Sequence, residues 1–328
     1  MLNREVMRVI RRIILLFLLL SAILIPVGAD TVKWVNFDVP YDSLEYAMAR
    51  DIETMEKDCH ISWIDVLAVA ACRTGGKCGL SSVKKAFREL ESGISPGEAL
   101  GELYKYYEYY HTAYTAVLGG MLGTYSIQKD GEEKVVYGLK AYSPIASGYG
   151  YSHCADFGNS RSFGFTRKHL GNDIMGALGT PIVAVEGGVV EVMGWNRYGG
   201  WRIGIRSFDS RRYYYYAHLQ KDHPFAAGLQ EGDIVQAGDL LGFMGRTGYS
   251  DRENVNNITK VHLHFGMQLV FEESQKECLS EIWVDVYDIV RLLSSHRSSL
   301  EKTQDGWKRV YLYRDMDIQE LPETIQSY

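Results

Sequence analysis

The sequence has few of the residues that cross-link or interrupt a chain. Its 328 residues include seven prolines and five cysteines, and no segment is repeated. An odd number of cysteines rules out complete pairing within the chain, and the spacings do not match a four-cysteine zinc site. We expect mostly free or structural thiols, although two of them flank a Gly-Gly turn and can close a small loop. The five are Cys59, Cys72, Cys78, Cys154 and Cys278, and the flanking pair is Cys72 and Cys78.

An excess of positive charge is also missing. The formal net charge is −6, and four arginines and one glutamate give the first 29 residues a charge of +3, so the remainder carries −9. A basic surface of the kind that binds nucleic acid is therefore not expected. A hydrophobic fraction of 46% with 23% charged residues excludes gross disorder and is typical of a globular protein.

Only one long apolar run is present, and it lies at the N-terminus. Four arginines (Arg4, Arg8, Arg11 and Arg12) precede the uncharged run 13–27, and Val27-Gly28-Ala29 is typical of a signal-peptidase site. The run is shorter than the roughly 20 apolar residues of a membrane span, which leaves residues 1–29 open as a cleaved signal peptide or a retained membrane anchor. The positive-inside rule predicts that everything after residue 30 is extracytoplasmic, in the cell envelope, membrane-anchored or secreted.

The next part of the chain predicts a helical accessory domain, residues 30–125. Leu44, Ala47 and Met48 recur at helical spacing, and Ser95-Pro96 begins another helix by the cap and first-turn-proline rules. The six tyrosines between residues 104 and 114 surround their helix. We interpret them as core packing rather than a sugar-binding face. The sequence indicates no partner for this domain.

Residues 126–168 predict a hairpin and a long loop. The hairpin turns at Asp130-Gly131, and residues 141–168, rich in Gly, Ser and Tyr, have no period and are typical of a functional loop. From 169 to about 271, short apolar runs between glycine turns predict an antiparallel sandwich or open barrel. A helix is predicted over 283–294, before a weakly patterned C-terminal tail, 296–328. The predicted fold class is thus multidomain α and β, mainly helical first and all-β second.

Two short segments carry the chemistry, His169-Leu-Gly-Asn-Asp173 and His262-Leu-His264-Phe. If the second is a strand, both its histidines point to the same face. Gly-Asn inside the first favours a turn or extended loop over a helix. Neither segment is specific alone, since two polar histidines on a strand are ordinary and His-x-x-x-Asp is common. Together they favour three zinc ligands with one open coordination position, the catalytic arrangement. His218, at the end of another predicted strand, can stabilise an oxyanion or be an ordinary polar residue.

These segments and five others resemble the lysostaphin/LytM-type zinc endopeptidases that cut bacterial peptidoglycan. The resemblance covers roughly residues 140–270, under half of the chain. It implies that His169, Asp173 and His264 bind zinc, that His262 is the base activating water, and that His218 polarises the carbonyl or stabilises the transition state. The five further segments are Gly179-Thr-Pro-Ile-Val-Ala, Gly187-Gly-Val-Val, Tyr216-Ala-His-Leu, Gly232-Asp-Ile-Val-Gln-Ala-Gly-Asp-Leu-Leu-Gly and Gly245-Arg-Thr-Gly.

Departures from the family pattern affect specificity rather than the ligand set. Residues 249–260 intervene between the Thr-Gly motif and His262, which predicts an altered groove rim. Gly266 stands where many members have an acid. Arg161 can bind a substrate carboxylate or, as we favour, brace its loop. His153 beside Cys154 lacks further ligands and is not expected to bind a metal. Four aromatics can wall the groove or pack internally: Trp195, Tyr198, Trp201 and Tyr249.

The sequence thus predicts an exported zinc metalloendopeptidase with one Zn²⁺ per chain, acting on the peptides of peptidoglycan. Its peptidase domain is predicted over 169–295. The alternative is a non-catalytic or latent scaffold that binds cell wall or regulates other wall hydrolases, with the 141–168 loop blocking access in the latent case. Membrane contact is predicted only through an uncleaved N-terminal segment, and no nucleic acid is expected as a partner.

Overall fold

A computed structural model describes residues 35–277, 280–304 and 306–318. The predicted leader, residues 1–29, lies outside the described residues, as does Cys278. Within the described ranges, no helix is long and apolar enough to cross a membrane.

Five α-helices fill the N-terminal part of the described chain, and a sixth follows the large sheet. The second begins where the Ser62 hydroxyl accepts a hydrogen bond from the Ile64 N–H, and it ends at Gly75, which takes the left-handed conformation with φ 66°. Ser95 and Glu98 form a reciprocal capping box that starts the fourth. The helices are α1 (Tyr41–Thr54), α2 (Trp63–Thr74), α3 (Leu80–Glu91), α4 (Pro96–Leu100), followed by a 3₁₀ helix Gly101–Tyr106, α5 (Tyr107–Leu118) and α6 (Tyr287–Leu293); a second 3₁₀ helix is Glu273–Glu277.

The strands are short, as the spacing of glycine turns predicts. They are β1 (Leu122–Lys129), β2 (Glu132–Leu139), β3 (Tyr151–His153), β4 (Ser160–Phe163), β5 (Phe165–Lys168), β6 (Asn172–Gly176), β7 (Pro181–Val183), β8 (Gly188–Asn196), β9 (Gly200–Ser207), β10 (Arg212–Ala217), β11 (Ile234–Val235), β12 (Leu240–Phe243), β13 (His262–Leu269), β14 (Ile282–Val284), β15 (Leu300–Thr303), β16 (Gly306–Arg309) and β17 (Leu312–Asp315).

One large antiparallel sheet organises the second half of the chain. Its order is β11-β8-β9-β10-β13-β6-β3, and β14 pairs with β13 beyond the end of β6. Smaller units are the three-stranded sheet β17-β1-β2 and the two-stranded pairs β12-β7, β15-β16 and β4-β5. Along β13, Leu263 and Phe265 are buried at 0% and 1% exposure, so the intervening residues His262 and His264 share the opposite face. A mainly helical region followed by an open antiparallel sheet confirms the predicted fold class.

The predicted hairpin is confirmed. Asp130 and Gly131 have positive φ angles of 53° and 86° and connect β1 to β2, which is the two-residue turn that matches the twist of paired strands. The predicted loop 141–168 was only partly right, because β3 joins the edge of the large sheet and β4 and β5 form a hairpin of their own.

The C-terminal prediction needs two corrections. Residues 282–284 form β14 and not the start of a helix, because Trp283 pairs with Gln268 and this tertiary pairing overrides the helical period; helix α6 starts only at Tyr287. The weakly patterned tail also contains three strands. Its last strand, β17, pairs with β1, and the buried Lys140 ammonium holds Asp315 at 3.0 Å.

The helices and the large sheet share one buried core, and the described residues group into a single compact unit. The guanidinium of Arg212, on β10, donates to the carbonyl of Ala116 in α5 at 2.7 Å. The sheet is thereby fixed against the helical region. The domain boundaries stated above remain predictions.

Candidate metal centre

The pairing of β6 with β13 brings the two sequence segments together. Asp173 lies directly opposite His264 in the register, and His169 lies just before β6. Gly171 makes this approach possible, because a Cβ there would lie 2.6 Å from the Phe265 carbonyl oxygen and 2.9 Å from the His264 ring. The first segment is extended rather than helical, as predicted.

Three donor atoms converge at this point. His169 Nε2 lies 2.7 Å from His264 Nδ1 and 3.1 Å from Asp173 Oδ1, and His264 Nδ1 lies 3.4 Å from the same carboxylate oxygen. A tetrahedral ion with bonds of about 2.0–2.1 Å has ligand atoms roughly 3.3–3.4 Å apart. The two separations from Asp173 Oδ1 are close to this spacing, whereas the two histidine nitrogens lie closer together. All three atoms are near enough to bind one metal ion.

The carboxylate of Asp173 fits a cation. Its Oδ1 atom is buried and accepts no hydrogen bond, whereas Oδ2 accepts one from Arg161 at 3.2 Å. Burial opposes ionisation, but the imidazoles of His169, His264 and His262 around the carboxylate outweigh it and hold the pKa of Asp173 below its usual range. A buried, ionised oxygen without a hydrogen-bond donor is costly unless a positive ion meets it.

Backbone carbonyls orient three of the four imidazoles around this point. In each, Nδ1 lies within hydrogen-bond distance of a carbonyl oxygen, so the neutral ring carries its proton there and its Nε2 lone pair faces the site. The pairs are His169 with Asp156 (3.1 Å), His262 with Lys260 (2.9 Å) and His218 with Thr247 (2.9 Å).

His218 and His262 lie beside the three ligand-type residues. Their ring centroids are 4.8 Å apart, and His262 Nε2 is 3.5 Å from Asp173 Oδ1. His218 has a φ of 63°, a conformation that a non-glycine residue adopts at an energetic cost and that is common at functional sites. Burial, reinforced by the neighbouring histidines, lowers the pKa of His218, so its imidazole is neutral near pH 7.

Arg161 braces the site from the β4–β5 hairpin. One Nη2 atom donates to Asp156 at 2.5 Å and to Asp173 at 3.2 Å, so the bracing interpretation is the one that the contacts favour. His153 lies against the Tyr287 ring, at 4.6 Å between centroids. Across the part of the chain that the structure describes, His169, Asp173 and His264 form the only cluster able to hold a metal ion.

The predicted groove aromatics divide into two pairs. Tyr198 and Tyr249 line a groove of about 870 Å³ that contains the metal centre. Trp195 and Trp201 pack edge-to-face on each other at 5.7 Å instead. Two of the four aromatic residues considered as groove walls therefore line the groove.

Residues 167–276 match the model of peptidase family M23. The chain carries a peptidase family M23 domain. Over 117 residues, 43% are identical to the L-Ala–D-Glu endopeptidase of Bacillus subtilis, covering 36% of this chain and 34% of that protein. Lysostaphin of Staphylococcus simulans is 37% identical over 98 residues, 30% of this chain and 17% of lysostaphin. The predicted resemblance to the lysostaphin/LytM-type family is confirmed.

A solved structure extends the likeness beyond the M23 domain. It comes from Ruminococcus gnavus and is provisionally named a glycyl-glycine endopeptidase lytM. It has a TM-score of 0.52 and 25% identity, and the match covers 82% of this chain and 93% of that one. The curated relatives are matched over a third of their length or less, so the likeness to them concerns the M23 domain alone.

Several groups around the M23 site carry no sequence signal. The carbonyls of Lys260 and Thr247 orient histidines, yet any residue type supplies a carbonyl. Arg202 and Tyr215 line the groove from β9 and β10, but they come from strands whose pairing only the folded sheet reveals. A cation or tyrosine on the outward face of a strand is too ordinary to single out.

Proposed function

We propose that this chain is an exported zinc metalloendopeptidase that hydrolyses peptide bonds in bacterial peptidoglycan. The convergence of His169 Nε2, Asp173 Oδ1 and His264 Nδ1 carries this proposal. Two imidazoles and one carboxylate are a donor set that zinc accepts, and three protein ligands leave a position open for chemistry. The M23 match and the activities for which the relatives are named support the substrate class.

Zinc bound by these three residues would polarise a scissile carbonyl and lower the pKa of a water molecule toward neutrality. The remaining chemistry belongs to the side chains. His262 has its Nδ1 at Lys260 O, so its Nε2 lone pair can accept the proton of the attacking water. The same imidazolium can then return that proton to the leaving amine.

His218 supplies the second proton-holding group. Because its Nδ1 is at Thr247 O, it donates toward the substrate only when Nε2 is also protonated. Negative charge developing on the carbonyl oxygen would favour that protonation, and the imidazolium so formed would stabilise the charge. The His218 ring lies 4.8 Å from the His262 ring, which supports the role of stabiliser. Asp156 and Arg161 act as positioning residues for the ligands.

Export completes the proposal. The arginines and apolar run of residues 1–29 support transport across a membrane, after which the peptidase acts in the cell envelope, secreted or membrane-anchored. The rival function, a scaffold without catalysis, lacks a specific observation in its favour, because the three ligand-type residues and both accessory histidines are all present and converge.

The test combines metal content with cleavage. The full chain, purified in detergent, should contain about one zinc per molecule and release new amino termini from purified peptidoglycan, and a chelator should abolish release. His264→Ala should lose the zinc, because two ligands remain. His262→Ala should retain zinc while its turnover falls by at least ~100-fold, the scale of general-base catalysis.

A matched control is His223→Ala, since His223 is an exposed loop histidine outside the site. It should keep both zinc and activity. Zinc without cleavage in the parent chain would favour the scaffold or latent alternative, and full activity in His262→Ala would refute the assignment of the base.

A further inference from the structure

The groove around the metal centre is positively charged in a chain whose net charge is −6. Six cationic side chains line it against three carboxylates. The cations are Arg161, Arg167, Lys168, Arg202, Arg206 and Lys260. A cationic cleft concentrates anionic ligands, so the charge of the groove bears on which peptide it receives.

Three of these six cationic side chains have partners among the described residues. Arg206 binds Glu191 at 2.7 Å, and Arg161 binds Asp156. Arg167 lies over the Tyr198 ring at 4.7 Å and donates to the Tyr249 hydroxyl. These contacts account for three of the six guanidinium and ammonium groups.

Arg202 differs from these arginines because no ion pair or hydrogen bond joins its guanidinium to another described residue. It is partly buried, and its Nε is buried without a hydrogen-bond partner. Arg167 and Arg206 each have one such nitrogen as well, but their other nitrogens are engaged. A buried donor without a partner is unfavourable unless a ligand meets it. Its planar fork matches a carboxylate, which it can bind through two parallel hydrogen bonds.

Arg202 also stands in line with the metal centre. Asp173, His264 and Ala217 lie opposite one another on the neighbouring strands β6, β13 and β10. Continuing the β9–β10 register by one residue places Arg202 opposite Ala217, next in the same row. Two strand spacings of about 4.8 Å put its Cα roughly 10 Å from that of His264, the length of about three residues of extended peptide.

The space beside Arg202 is open. Its two cross-strand neighbours, Ala217 and Gly194, lack long side chains, and nothing lies within 4 Å of a Cβ built on Gly194. Neither neighbour in this row therefore blocks the approach of a peptide to the guanidinium.

We propose that Arg202 forms a carboxylate subsite, and that the substrate is an acidic peptide with a free carboxylate within about three residues of the scissile bond. This proposal rests on the proposed endopeptidase function. It narrows the substrate to the acidic stem peptides of peptidoglycan. Neutral glycine bridges are disfavoured, because they would leave Arg202 unpaired. The carboxylate can be that of a glutamate residue or of the peptide's C-terminus.

The test measures binding and cleavage separately. Probes are L-Ala–D-Glu-containing tetrapeptides with the free glutamate carboxylate or the terminal carboxylate individually amidated, together with pentaglycine amide, which has no carboxylate. Binding is measured by calorimetry on zinc-loaded full-length His262→Ala, and cleavage on the parent chain. The acid form should bind at least ~tenfold more tightly than one of the amides, the scale of a hydrogen-bonded charge pair, and whichever amidation removes the gain identifies the carboxylate.

Arg202→Gln, introduced into His262→Ala, should reduce the preference for the acid to under ~threefold, while Arg202→Lys should retain part of it. Arg314→Gln removes the same charge from the exposed face of β17 and should leave the preference unchanged. Equal binding of acid and amide by His262→Ala, or an equal loss for both when Arg202→Gln is added, would overturn the subsite.

The two failures are distinguishable. Cleavage of peptides without preference for the acid would leave the endopeptidase function standing and remove the subsite. Preference in binding without any cleavage would leave the subsite standing and remove the function. Absence of both binding and cleavage would remove both.

Discussion

At the scale of single residues, the metal centre depends on groups one contact away from the ligands. The carboxylate of Asp156 accepts hydrogen bonds from the Asp173 N–H at 3.1 Å and from Arg161 at 2.5 Å, and its carbonyl orients His169. It thus fixes both ligands of the first segment. Such outer contacts commonly contribute one to two orders of magnitude to metal affinity.

We therefore expect Asp156→Ala to weaken zinc binding by roughly 10–100-fold, because the backbone of Asp173 and the Arg161 brace both lose an anchor. Asp156→Asn keeps an acceptor oxygen and should lose less. Competition with a chromophoric chelator measures the affinity. Asp251→Ala is the control, because it removes an exposed carboxylate whose one ion pair within the described ranges is with Arg197, at 3.2 Å. It should not alter the zinc affinity. Equal zinc affinities for all variants would refute the positioning role of Asp156.

The sequence predicted ligand-type residues better than their surroundings. His169 and Asp173 are four residues apart and His262 and His264 two apart, so local spacing alone limits how far each pair can separate. Arg202 reaches the same groove only because β9 pairs with β10 and β10 with β13. That juxtaposition depends on sheet order, and short, similar strands do not specify sheet order by their own pattern.

At the scale of elements, the start of β9 packs against the loop at Thr247, whose carbonyl orients His218. Gly200 has a φ of 65°, and a Cβ there would lie 2.6 Å from the Thr247 carbonyl oxygen and overlap the adjoining peptide bond. That carbonyl accepts the hydrogen bond from His218, while the Thr247 hydroxyl donates to Leu219 and accepts from Trp201. A side chain at position 200 would therefore displace the carbonyl that orients the His218 ring.

Gly200→Ala should therefore lower the free energy of unfolding by about 2–5 kcal/mol, the sum of left-handed backbone strain and overpacking. It should also lower kcat/KM, because the His218 ring moves with Thr247. Gly75→Ala is the matched control. It has φ 66° but nothing within 4 Å of the added Cβ, so only strain of about 1–2 kcal/mol is expected. Urea denaturation and peptide cleavage measure the two effects, and equal destabilisation by both substitutions would contradict the steric argument.

Elements were predictable where the signal is local. The Asp130-Gly131 dipeptide predicts its turn because only a few residue types tolerate positive φ at both positions. The sequence pattern does not predict strand β17, because its partner β1 lies far from it in the sequence, where Ser126 pairs with Arg314. Strand β14 was read as a helix for the same reason: its pairing with Gln268 is a tertiary contact, which propensity does not include.

At the scale of the whole molecule, a buried ion pair ties the M23 sheet to the helices. Arg212 is 1% exposed and binds both oxygens of Glu186, at 2.8 and 3.0 Å. Nη2 also donates to Asp209, and Nη1 donates to the carbonyl of Ala116 in α5. The Tyr214 hydroxyl donates to the same glutamate at 2.7 Å. The buried charges of Arg212 and Glu186 are therefore both hydrogen-bonded.

We expect Arg212→Met to lower the free energy of unfolding by about 3–5 kcal/mol, because Glu186 is left buried and unpaired. Adding Glu186→Leu should recover much of that loss, since replacing a whole buried pair by apolar groups is often nearly neutral. Lys57→Met, which breaks an exposed pair with Glu53, should cost no more than about 0.5 kcal/mol. Because the network bonds helix to sheet, far-ultraviolet circular dichroism and tryptophan fluorescence should report one unfolding transition in every variant, shifted together. Separate transitions, with only the sheet signal displaced by Arg212→Met, would show that the helical region and the M23 domain unfold independently and that this contact does not join them.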